Sequence, residues 1–358
     1  MTTRIRAVLA AAAALATLVV AGTALAANTG SVTVWHTPQA LANSSSTTVH
    51  VSVPQSTDPI AATNIYVPTG YTVTTNQAAG TSIGSVDATA FSRDANLVLP
   101  LSGTVVTADP SAAANKQGSA GCAGVAQSQA VWIMNLSVAG NTLAVPVYIN
   151  ATAGAEAGLG ATKVTICLPP PDVPVGTPGR SFQGAQLLDA KLTLSNVFTT
   201  PTAAALAKWE TLFTPYNPGV GTVNRAGTFE ARAFVPVPII LGVKVTYAKK
   251  TNTWTLSGKA TEGGVAVAGL SLKVSRGLAA AKLAQKGTVK TAANGSFKVS
   301  GKLLPKKTTF FQVSGSVDER DYTATGCQSP LTPVAPAGCV KATLSPWTAK
   351  SVVVRVKH

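Results

Sequence analysis

The chain has 358 residues, 28 of them basic and 13 acidic, giving a net charge of +15 with only 11% charged and 6% aromatic residues. Three histidines and two methionines leave little from which to build a soft-metal site or a histidine-centred triad. The positive excess points to an anionic partner, or to lysines that guard sheet edges and keep the chain soluble.

In chain order, Arg4 and Arg6 precede an uncharged apolar run that ends in Ala24-Leu25-Ala26. This reads as an export signal over residues 1–26, cleaved after Ala26, with a retained membrane anchor as the alternative. No later stretch is apolar enough to span a bilayer, so no transmembrane segment is expected in the mature chain. Period-two patterns then recur. Val49, Val51 and Val53 alternate with polar residues, as do Leu143 to Ile149, Val164 to Leu168, and Leu188, Ala190, Leu192 and Leu194. Each run offers one apolar face, as antiparallel sheets covered on one side require. Residues 168–181 hold five prolines and read as a long stiff loop, either a linker or a connection within one sandwich. Thr202 to Phe213 reads as a short helix capped by Thr202; a strand bringing Trp209, Thr211 and Phe213 together is the alternative. The fold expected is all-β, with two sandwich-type antiparallel domains at 27–239 and 240–358 and at most one short helix, near 202–213.

The charge is uneven along the chain. Residues 27–239 carry 8 basic and 9 acidic side chains, whereas 240–358 carry 18 basic and 4 acidic. Fifteen of those 18 are lysines, including Lys249-Lys250 and Lys306-Lys307, the candidate contacts to an anionic wall polymer or membrane surface. Lysine acts as a point charge and arginine as a bidentate reader, so diffuse attraction is expected and sequence-specific nucleic-acid binding is not.

The last third also has a local grammar. Leu256-Ser257-Gly258 ends a strand, Val267 to Val274 gives V-A-G-L-S-L-K-V, and Thr291 to Phe297 sets Asn294-Gly295 where a type I′ hairpin needs positive φ. Val352, Val354 and Val356 fit a closing strand. These residues resemble the bacterial immunoglobulin-like and carboxypeptidase-regulatory-like β-sandwich modules, over residues 245–357. The resemblance implies a spacer, adhesive or binding module of a secreted or surface protein, with no catalytic residues to carry over.

Four cysteines in an exported chain imply disulfides, and proximity favours Cys122 with Cys167 and Cys327 with Cys339 among three connectivities. Eleven residues between Cys327 and Cys339 suit neither zinc nor a C-x-x-C redox pair. His36 and His50, with Asp58 or Asp87, form at most a thin ligand set. Glu156 with Asp172, or Glu210 with Glu230, are the carboxylate pairs to consider for glycoside cleavage. Trp209 and Trp347 are the better candidates for exposed, sugar-stacking rings, while Trp132 and Trp254 fit a core. The reading is a secreted or envelope-associated, non-enzymatic protein without cofactor or metal. The alternative is a carbohydrate-binding or carbohydrate-active protein that uses residues 27–239.

Overall fold

The computed structural model describes residues 28–358 apart from 45, 139, 238, 303–306, 319, 322–341 and 358. The expected signal peptide and the Cys327 to Cys339 loop therefore lie outside the described residues. Among the residues described, the chain is all-β with one short α-helix, α1 (Ala113–Gly118).

The first 240 residues supply β1 (Ser31–Thr37), β2 (Ser46–Ser52), β3 (Ile60–Val67), β4 (Thr72–Val73), β5 (Ser82–Ser92), β6 (Leu97–Ala108) and β7 (Ala130–Val138). They continue with β8 (Asn141–Ala151), β9 (Thr162–Cys167), β10 (Ala185–Leu194), β11 (Phe198–Thr199), β12 (Ala205–Pro215) and β13 (Phe229–Val237). Eleven of these pair antiparallel in the order β1-β2-β10-β5-β6-β7-β8-β9-β3-β12-β13, and β4 pairs with β11 apart from them. A twisted sheet this long coils. Its inward side chains, among them Val32, Val34, Val49, Val51, Trp132 and Trp209, meet in one core.

The remaining strands are β14 (Ile239–Leu241), β15 (Lys244–Ala248), β16 (Thr253–Glu262), β17 (Val265–Ala266), β18 (Ser271–Ala279) and β19 (Lys282–Lys290). After them come β20 (Ser296–Lys302), β21 (Thr309–Val317), β22 (Arg320–Asp321), β23 (Ala342–Leu344), β24 (Trp347–Lys350) and β25 (Val354–Val356). Strands β14, β15, β17 and β20 gather around β16, while β19-β18-β21-β24 with β25 form the facing sheet. A second core lies between the two, with Trp254, Leu256, Leu272, Phe297 and Phe311 at its centre. Strand β23 instead runs parallel to β13 in the first sheet, and β22 pairs with β23. The Ser345 N–H donates to the Phe234 carbonyl (2.9 Å) and its hydroxyl accepts from the Val34 N–H (3.3 Å), so Ser345 ties β13 to β1.

Several local expectations need correction: β16 runs on past Gly258 to Glu262, and the exposed Val352 lies outside β25. The segment 202–213 is not a helix: it enters β12, which pairs with β3 on one side and β13 on the other. Two hydrogen-bonded neighbours outweigh the helix propensity of an alanine-rich run. In β10 the register shifts between Leu187 and Asp189, so Leu187 rather than Leu188 packs against the core with Ala190 and Leu192. The turn at Asn294-Gly295 is real but is not a type I′ hairpin. Only Gly295 has positive φ (+74°), Asn294 Oδ1 accepts from the Ser296 N–H (3.0 Å), and the turn passes from one sheet to the other.

Cys122, just after α1, is bonded to Cys167 at the end of β9 across a sequence separation of 45. Closing that loop restricts the unfolded chain by about 4 kcal/mol in the chain-entropy model, an upper figure. Replacing both cysteines by serine should lower the urea-unfolding free energy by about 2 to 4 kcal/mol. A change under ~1 kcal/mol would show that the bridge contributes little.

Candidate functional site

The sheet around β16 alternates strictly between its two faces. Tyr247, Trp254, Leu256, Ala260, Phe297 and Val299 face or flank the second core. The other face reads Thr253, Thr255, Ser257 and Lys259 along β16, beside Lys244 on β15 and Lys298 on β20. Register puts Lys244 and Lys298 on either side of Ser257, and Lys259 two residues further along the same face. Lys290, at the end of β19, completes a shallow groove of about 700 Å³ with Thr291, Ser296 and the rim of Phe297. All four lysines are exposed, and no carboxylate lines the groove. Glu262, the one acid between residues 240 and 317, is occupied elsewhere, accepting from Trp347 Nε1 at 2.5 Å. The facing sheet repeats the pattern, with Lys273 and Lys350 flanking Ser314.

Of the lysines named from sequence, Lys249 and Lys250 are exposed on the 3-10 turn between β15 and β16, and Lys307 is exposed ahead of β21. Lys306 lies outside the described residues. The groove lysines are single residues within strands and escape a search for adjacent pairs. The alternation T-W-T-L-S-G-K marks Lys259 as outward, but only register shows that Lys244 and Lys298 join it.

The titratable side chains named from sequence between residues 27 and 239 are spread over separate contacts. His36 and His50 cannot share a ligand, because cross-strand pairing of Thr33 with His50 and of His36 with Thr47 sets them on opposite faces. His50 Nε2 lies 2.6 Å from Asp189, Asp58 accepts from Asn28 (3.0 Å), and Asp87 stands opposite Lys191. Glu156 pairs with Lys163 (2.8 Å) and accepts from Tyr66, whereas Asp172 accepts from the Gly219 N–H (2.7 Å), so those two acids serve different contacts. Glu210 and Glu230 do come together, on the face of β12 and β13 turned away from the core. Glu210 pairs with Lys208 (2.5 Å) and lies 3.8 Å from Arg232, which also pairs with Glu230. Both acids are buried, so they offer no cleft to a sugar. Trp209 and Trp347 are buried as well, at 0% and 4% exposure, which removes both as stacking platforms. Among the described residues no group of three or more His, Cys, Asp or Glu could hold a metal ion.

His36 is enclosed between Thr47 (Nδ1 to Oγ1, 2.9 Å) and Tyr71 (Nε2 to hydroxyl, 2.8 Å). Burial pushes the Tyr71 hydroxyl up, so it stays protonated; one ring nitrogen of His36 donates and the other accepts, and either hydroxyl can take the complementary role. Burial also lowers His36 from 6.5 to about 4. Between those values the unfolded chain binds a proton that the folded chain excludes. Stability therefore falls as pH drops through the window, by about 3 kcal/mol in all. Glu230 acts oppositely: burial first, then the hydrogen bond and charge of Glu210, raise it against the pull of Arg232. Its contribution is greatest in acid and fades as pH rises above the ordinary carboxylate value of 4.5. Urea midpoints of the Glu230→Gln variant should expose the His36 limb alone, a steady decline from pH 6.5 to 4. A flat profile there would refute the assignment to His36.

No protein-family model matches the sequence, and no curated protein matches it. Among solved structures, the chain is similar to the full-length major pilin SpaD from Corynebacterium diphtheriae, at 11% identity and a TM-score of 0.25, over 80% of this chain and 55% of that one. The chain thus spans little more than half of the pilin's length, and a likeness this distant carries no argument about activity or partners.

Proposed function

We propose that this is an exported, non-catalytic protein of the cell surface, and that its C-terminal third is an immunoglobulin-like β-module that rests on anionic surface polymers through its lysine face. The division at residues 239 and 240 belongs to the same reading, supported by two separate hydrophobic cores. The observation that carries it is the groove of Lys244, Lys259, Lys290 and Lys298, which no carboxylate lines. Point charges spread over a polar sheet face attract a polyanion without fixing its sequence or stereochemistry. Such attraction is screened over about 10 Å at 0.1 M salt.

The test is cosedimentation of residues 27–358 with a cell-wall fraction and with phosphatidylglycerol vesicles, from about 0.05 to 0.5 M salt. Retention at low salt that falls steeply as salt rises is the expected result. A chain that stays in the supernatant at the lowest salt with both materials has lysines for solubility and edge protection, and the proposal fails.

A further inference from the structure

The first core is incompletely filled at one end. Ala90 lies opposite both Leu187 and Leu99, so a short side chain sits between two leucines where β10, β5 and β6 run side by side. An apolar pocket of about 210 Å³ opens there. Leu99, Leu101 and Leu136 form one wall; Leu168, Pro169 and Pro171, from the proline-rich loop, form the other. A further void of about 40 Å³ lies alongside and shares Leu136, Val145, Leu168 and Leu187 with it. Proline rings and doubly paired strands resist collapse into such a space.

One polar group in the lining is unspent. Ser181 is 7% exposed, its N–H donates to the Pro170 carbonyl (3.0 Å), and its hydroxyl has no hydrogen-bond partner among the described residues. Gln186 also lines the pocket, but its Nε2 donates to the Thr57 carbonyl (3.0 Å) and its Oε1 accepts from Arg93 (2.7 Å). Arg180 is held by both oxygens of Asp94 (2.8 and 2.6 Å). No charged side chain lines the pocket. An isolated carboxylate head inside would therefore be desolvated without a counter-charge, whereas a neutral head finds a hydroxyl that can donate or accept.

We propose that this pocket binds a small neutral amphiphile, with an aliphatic body and one hydroxyl or carbonyl that hydrogen-bonds to Ser181. The volume sets the length. Apolar cavities of ~150 Å³ already take benzene, a six-carbon ring, so a body of about seven carbons suits this volume. The proposal does not depend on the lysine face.

The test titrates the full mature chain with 1-heptanol and with heptanoate at neutral pH, followed by calorimetry and by the thermal midpoint. Heptanol should saturate one site and bind at least about tenfold tighter than heptanoate. Ser181→Ala should weaken heptanol about tenfold while leaving the free protein as stable as before or more so, since it removes an unpaired buried hydroxyl. A merely structural serine would not divide its effects that way. Ala90→Phe, which fills the pocket, should abolish binding; should that variant fail to fold, Ala144→Trp at the exposed mouth serves the same purpose. The proposal is overturned by absence of saturation in the wild type, by equal affinity for heptanoate, or by binding that survives the filling substitution.

Discussion

Changing Lys244, Lys259, Lys290 and Lys298 together to glutamate is expected to abolish retention on anionic vesicles at low salt. Each lysine near an anionic surface contributes about fivefold to affinity, so losing four removes on the order of several hundredfold, and reversing their sign adds repulsion. All four are exposed, three on strand faces and one at a strand end, with no described carboxylate in the groove, so folding should be unaffected. The informative control is Lys273→Glu with Lys350→Glu on the facing sheet. If attraction depends only on net charge, those two changes together should weaken retention as much per residue as the four do. If the groove is the contact, they should do clearly less. Full retention of the four-residue variant would end the case for this face.

Where an apolar face alternated with a polar one, the sequence was readable. The runs at 49–53 and 164–168 coincide with β2 and β9 to within one residue, the run at 143–149 lies in β8 with its first residue, Leu143, exposed, and Leu270, Leu272 and Val274 are buried as the pattern implied. It failed where both faces are covered. From Trp209 to Pro215 every residue of β12 is buried, because Trp209 and Phe213 enter the core while Glu210 and Leu212 are covered on the opposite face. Period two is then invisible, and an alanine-rich start suggests a helix. The groove and the Glu210, Arg232 and Glu230 cluster were hidden for another reason. Both arise from strands distant in sequence, and a one-residue slip in register would turn Lys298 inward or Glu210 into the core. The apolar pocket was least legible, since it depends on small residues from β5 and β10 meeting opposite a loop that composition alone showed to be stiff.

Trp209→Ala should be among the most destabilising single substitutions in the first 240 residues, at about 3 to 5 kcal/mol. The indole is fully buried and meets Tyr71 and Phe198 edge-on, at centroid distances of 5.3 and 5.5 Å. Phe198 in turn meets Trp132 edge-on at 6.3 Å, and His36 lies 6.4 Å from Trp209, so one truncation loosens a connected set of rings. Strand β12 is paired on both edges and cannot move in to fill the space, which places the loss toward the upper end of the range. Against a total stability of about 5 to 15 kcal/mol, the first core would stand near its threshold. The second core is a separate cluster, whose aromatic centre is Trp254 against Phe311 at 4.6 Å. Urea unfolding should thus separate into two transitions in the variant, the earlier one shifted and the later one in place. A single transition shifted as a whole would show that β23 and Ser345 couple the two cores into one cooperative unit. A loss below about 1 kcal/mol would mean that the ring cluster can repack, against the rigidity that doubly paired strands impose.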